Sequence, residues 1–137
     1  MEPADTNPPI AAEPGSDPGP DREPGAAERR DLAEVPALEV VSAAAIHLMS
    51  AAAVKCGLGE DGDAEVDLGE ARLLITALAG LVTEAAPLLG HHHAAPLRDG
   101  LRSLQLAFRE ASPYPDAPGD GPGERLTGAV YPALPHH

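Results

Sequence analysis

The sequence has no tryptophan, one phenylalanine and two tyrosines in 137 residues. Of the three aromatics only Phe108 lies between the proline-rich ends, so any core must be made of Leu, Val, Ile and Ala. A core of that kind is thin for so short a chain, and small domains bury a modest share of their surface unless neighbours cover more of it. Positive charge is equally scarce. Lys55 is the sole lysine, and with the arginines it makes nine bases against 22 acids, a formal charge of -13. The deficit is spread along the chain, with -6 over residues 1–36, -5 over 37–112 and -2 over the rest. Nucleic-acid affinity comes mostly from Lys and Arg displacing condensed counterions, so direct nucleic-acid binding is not expected.

Cysteine is limited to Cys56, which excludes an intrachain disulfide and fits a reducing compartment. Near a helix C-terminus the dipole disfavours a thiolate, so Cys56 reads as a small buried hydrophobe rather than a nucleophile. The opening "MEPADTNPPIAAEPG" has neither the positive start nor the apolar run of a secretory signal. The longest charge-free run, Val40 to Val54, is shorter than the ~20 residues that span a bilayer. The expectation is a cytoplasmic protein with no membrane segment.

What is abundant is proline, unevenly placed: 8 of 16 lie in residues 1–36 and 6 come after residue 112. Residues 1–36 are Pro, Gly, Ala and acid, too poor in large apolar groups to offset the entropy of ordering, and are expected to form a disordered acidic tail. Residues 113–137 form a second Pro/Gly-rich tail, where Leu126, Val130, Tyr131 and Leu134 offer contact points. Solvation is its default state; docking as an extended strip is the alternative.

Residues 37–112 carry three helical patterns and no strand alternation. The first helix starts after Pro36 and stops near Gly57, at about 37–56. One face takes Leu38, Val41, Ala45, Leu48, Met49, Ala52 and Cys56; the opposite one takes Val40, Ala43, His47, Ala51 and Val54. Both are apolar. A helix of that type must be covered on two sides, which suggests a central position. Its Val40/His47/Val54 ridge is the candidate interface with a second subunit, the alternative being full burial within the monomer. The second helix, about 67–86, opens on Asp67 with Glu70 three residues on, an acidic capping box, and should end or kink at Pro87. The third, about 96–111, shows a narrow seam of Leu97, Leu101, Leu104 and Phe108. The fold class is all-α, a small three-helix unit flanked by disordered tails.

Three features invite a chemical reading. Gly57, Gly59 and Gly62 match a dinucleotide fingerprint, but they follow a helix instead of a strand, and Glu60, Asp61 and Asp63 stand where phosphate would go. Counted as a calcium loop from Asp61, position 6 is Val66 and position 12 is Arg72, where glycine and glutamate are needed. The stretch is an acidic connection between two helices. His91, His92 and His93 could ligate a metal, yet three adjacent histidines cannot all converge on one ion from a helix, so a solvated connection is the default and metal binding the alternative. His47, alone among apolar neighbours, reads as an interior or interface residue; a two-fold axis beside it would make assembly sensitive to pH. Arg98, Arg102 and Arg109 share one side of the third helix and face either an acidic partner or the protein's own acidic loop or tail. No catalytic constellation can be assembled and no cofactor is implied.

The stretches "VPALEVVSAAAIHLMSAAAVKCGLGE", "VDLGEARLLITALAGLVTEAAPLLG" and "HHHAAPLRDGLRSLQLAFREAS" resemble the bacterial domain-of-unknown-function family 1844 (DUF1844), in its high-GC actinobacterial branch. "GPGERLTGAVYP" is similar to the tail of that branch. The resemblance spans about residues 31–112 and implies a small helical protein with no catalytic residue to carry over. The broader family has a "Lys-Thr-x-Gly-Asn-Leu" turn between its last two helices, where this chain has "PLLGHHHAAPL". Encoding near translation initiation factor and ribosomal protein genes, frequent in that family, implies an association with translation. The functional expectation is a non-enzymatic interaction module, a homo-oligomer with room for a protein partner.

Overall fold

Proline fixes φ in the helical range, and helix α1, Ala37–Ala53, begins directly after Pro36 in the computed structural model, which describes residues 33–131. A wider turn, Val54–Leu58, continues it, and the chain leaves through Gly57 at φ 94°. A side chain there would be strained, and its Cβ would also approach Val66 Cγ2 to 2.9 Å. A 3₁₀ turn, Gly62–Glu65, leads to α2, Leu68–Leu89. Helix α3, His91–Ala111, starts after one further residue, and the one-turn α4, Glu124–Thr127, lies in the C-terminal segment. No strand occurs among the described residues, and the fold is all-α. Of the tails expected over residues 1–36 and 113–137, the parts at 1–32 and 132–137 lie outside the described residues.

Helix α2, not α1, is the central element. It packs against both α1 and α3, whereas α1 and α3 touch less. It buries Ala71, Ile75, Leu78, Ala79, Val82 and Ala86, against only Ala45 and Ala52 on α1. The expectation of a central first helix is therefore corrected: apolar residues on both sides of α1 do not mean that both sides are covered. Its inner face is the expected one, with Ala45, Ala52 and Cys56 buried and Leu38, Val41, Leu48 and Met49 half-buried. Leu97, Leu101, Leu104 and Phe108 of α3 complete the core. Each large aliphatic side chain fully buried there contributes ~1.5–3 kcal/mol.

Two helix ends differ from the pattern-based expectation. Helix α2 passes through Pro87 and stops three residues later at Gly90, with φ 86°. So close to the end, the proline forfeits one amide donor to the helix, and the core contact of Leu89 holds the last turn. Helix α3 begins at His91 rather than near Pro96, because Ala94, 1% exposed, extends the Leu97–Leu101 seam one turn backward.

The C-terminal segment also departs from its default reading as a solvated tail. Gly121, Pro122, Glu124 and Val130 are buried, and α4 packs on α2. Gly123, at φ 77°, makes this approach possible: a Cβ there would lie 2.6 Å from that of Ala79. The docked strip covers one side of the bundle. The outer side of α1 has no such cover from the described residues.

Candidate functional site

At 100° per residue the outward arc of α1 runs from Ile46 through Ser50, Ala43, Val54, His47, Val40 and Ala51 to Ala44. Val40 is 42% and Ile46 55% exposed, Ala43, Ala44, His47 and Ser50 are exposed, and Ala51 and Val54 are half-buried. Glu39 is the one charged group near the arc before Lys55. Of the candidate interface residues, Val40 and His47 thus lie exposed on one ridge, and Val54 is half-buried at its end. Isolated exposed apolar residues are ordinary on protein surfaces; a continuous face of them along a whole helix is not.

Length and composition raise a second point. Ala37–Leu58 and Leu68–Leu89, 22 residues each, are both long and apolar enough to cross a membrane. The charge-free run alone suggests a shorter segment. Helix α2 buries six of its residues in the core, while Leu73 and Leu88 are 65% and 89% exposed.

The acidic connection is organised as a helix start. Asp67 Oδ1 accepts a hydrogen bond from the Glu70 amide at 3.1 Å, and the Asp67 amide donates to the Lys55 carbonyl at 2.9 Å. The first satisfies an orphan donor of α2, and the second ties the loop back to the end of α1. Glu60, Asp61 and Asp63 do not converge on a point with other ligands: no group of three His, Cys, Asp or Glu side chains arranged to hold a metal ion occurs among the described residues. His91, His92 and His93 are all exposed on the first turn of α3 rather than in a connection before it, and the rings of His92 and His93 meet edge to face at 5.3 Å. Cys56 is buried, and burial pushes its thiol up from the usual value. That is the opposite of what a nucleophile needs.

The arginines of α3 divide into separate roles. Arg109 anchors the strip: Nη1 donates to the Asp116 carbonyl at 2.7 Å, and Nη2 pairs with Glu124 Oε2 at 3.2 Å. Glu124, 3% exposed, also accepts from the Gly119 amide at 2.8 Å. Gln105, 1% exposed, donates through Nε2 to the Pro122 carbonyl and to Thr127 Oγ1, each at 3.1 Å. From α2, Arg72 adds an exposed pair with Asp116 at 2.9 Å and lies 5.0 Å over the Phe108 ring. Arg102 donates to the Tyr131 carbonyl at 3.2 Å, and Arg98 makes no side-chain hydrogen bond or ion pair among the described residues. Two of the three thus bond to the protein's own C-terminal segment. Sequence reading missed Gln105 and Glu124 as anchors. Gln105 carried a signal: four residues after Leu101, it puts an amide on the apolar seam, and a buried amide requires partners.

The helices, the open face of α1 and the anchored strip together define a small all-α domain with one covered side and one apolar side left bare. Residues 38–110, over half of the chain, match the family described as domain of unknown function DUF1844, and the chain belongs to that family. The match ends before the C-terminal strip begins. No curated protein and no solved structure matches the chain.

Proposed function

We propose that this domain is a non-enzymatic helical interaction module that forms a homo-oligomer through the outer side of α1. The observation that carries the reading is the contrast within that helix: 17 apolar-rich residues, of which only Ala45 and Ala52 are buried. A second copy is the occupant that matches the surface in kind. The helix is about 25 Å long at 1.5 Å per residue, so a face ~10 Å wide on each copy removes about 500 Å² in total, below the ~1,200 Å² of a stable interface and in the range of a weak contact. That area corresponds to a concentration-dependent dimer rather than an obligate one. Small side chains at Ala43, Ala44 and Ala51 allow close backbone approach, with Val40 and Val54 at the two ends of the ridge and His47 midway between them.

A lipid surface fits less well. Interfacial helices carry Lys and Arg beside an aromatic-rich face, whereas this arc has neither, and an acidic chain is repelled by anionic lipid. Metal binding through His91–His93 gains no further ligand from the fold around it. The reading includes a cytoplasmic location, no direct contact with nucleic acid and a role beside translation, the last resting on the resemblance alone. Arginine in place of lysine and the "GPGERLTGAVYP" segment support an actinobacterial branch of the family. Light scattering across a concentration series tests the central part. The wild type should gain mass toward a dimer, and a Val40→Asp, Val54→Asp variant should stay monomeric with unchanged helical content. A wild type that remains monomeric at millimolar concentration, or that pelleted with neutral lipid vesicles while staying monomeric in solution, would overturn the proposal.

A further inference from the structure

The docked strip does more than cover α3. Between α2, α3 and the strip it encloses a cleft of about 340 Å³, to which α1 contributes no lining residue. Its polar lining is Thr83, Arg98, Arg102, Gln105 and Thr127, over apolar groups that include Val82, Leu101 and Val130. We infer that this cleft binds a small organic anion: an oxyanion head, carboxylate or phosphate, on a short aliphatic body.

Charge is the first argument. The chain has 22 acids and nine bases, yet no acid lines this cleft and two arginines do. Arg98 and Arg102 are one turn apart on the same helix, a spacing at which like charges repel. Arg98 has no acidic partner among the described residues, and Arg102 spends one Nη2 donor on the Tyr131 carbonyl, with no other side-chain hydrogen bond among those residues. A single oxyanion between the two guanidinium groups removes that repulsion and accepts their forked donors, the geometry in which arginine binds carboxylate and phosphate most strongly.

Shape and hydrogen bonding restrict the body of the ligand beyond its head group. The volume lies at the small end of ligand sites, about 300–1,000 Å³, and admits roughly ten water-sized groups at ~30 Å³ each. Both amide protons of Gln105 are directed to the strip, which fixes this side chain as part of the cleft wall. Thr83 adds a hydroxyl on the α2 side. Leu126, 53% exposed, and Ala129 offer accessible apolar surface to a short aliphatic chain, with Val82, Leu101 and Val130, only 2%, 3% and 3% exposed, behind them.

Amide chemical-shift titration of the full chain tests this with three probes: hexanoate, butyl phosphate and inorganic phosphate. Saturable shifts around Thr83, Leu101, Thr127 and Val130 are expected with one or both organic probes, at least tenfold tighter than with inorganic phosphate. Whether the carboxylate or the phosphate binds tighter identifies the head group. An Arg98→Gln, Arg102→Gln variant should weaken binding at least tenfold, and Thr83→Trp, which fills the cleft and keeps both arginines, should do the same. Arg125→Gln, outside the cleft, should leave affinity unchanged. The inference is overturned if no probe saturates, if Thr83→Trp or the double variant binds as the wild type does, or if only a poly-glutamate peptide binds.

Discussion

The two sides of the α2 core are finished in opposite ways. On the α3 side the protein lays its own C-terminal strip over the bundle and fastens it with polar anchors: Arg109 to Glu124, Gln105 to Pro122 and Thr127, and Arg102 to Tyr131. On the α1 side, Val40, Ala43, Ala44, Ile46 and His47 face outward with no cover from the described residues. The outer side of α1 is apolar, whereas the amphipathic α3 carries the long polar side chains that hold a proline- and glycine-rich strip in place. Apolar contact alone would order that strip poorly, because its backbone donors and acceptors would have to be left without partners. The bare face lacks such anchors, and another regular helix, whose backbone hydrogen bonds are already satisfied, is the surface that suits it.

The comparison can be broken at its shared element first. Ile75 is fully buried in α2, and the strip packs against α2 as well. Ile75→Ala should destabilise the domain by ~2–5 kcal/mol, read from the denaturant midpoint, and should weaken both sides together. Next in size, Glu124→Ala leaves the half-buried Arg109 beside an empty space and removes the acceptor of the Gly119 amide. Loss of one partner from a buried pair costs about 3–5 kcal/mol, but here the cost is limited by the free energy of docking, since the strip can detach. Hydrogen exchange should therefore accelerate over residues 119–128, while α1 and α2 keep their protection. Equal acceleration in all helices would show that the strip is integral to the core rather than laid upon it. The smallest effect concerns the turn joining the two sides. Asp67→Ala removes the cap of α2 and should cost ~1 kcal/mol by the same denaturant measurement, without altering the covered or the bare face.

Local patterns carried much of this fold, and the misses share a cause. Helix starts and stops that depend on nearby residues were legible: Pro36 before α1, Gly57 after it, Asp67 capping α2. So was the inner face of α1, since a 3.6-residue period fixes which residues share a side. Pro87 and Pro96 misled because a proline's local penalty is one lost bond and some crowding, and the burial of Ala94 together with the core packing of Leu89 outweighs it. The position of α1 at the edge was not legible either. A periodic pattern shows that a face is apolar, not what covers it. The strip was hardest to read, because most of the pairs that dock it are 15 to 44 residues apart, such as Arg109 with Glu124 and Arg72 with Asp116. Its traces were the arginine side of α3, read as facing an acidic partner or the protein's own acidic loop or tail, the contact points Val130 and Tyr131, and the polar Gln105 within an otherwise apolar seam.

The open side of α1 is best examined through its own methyl groups. In a soluble paramagnetic probe, the Val40, Ile46 and Val54 methyl signals should be broadened in dilute protein and recover as concentration rises, while those of Leu88, 89% exposed on α2, stay broadened throughout. Recovery confined to the α1 methyls is the result predicted for a face that a second copy covers. Equal broadening of both sets at every concentration would mean that the bare side of this domain is not a contact between copies at all.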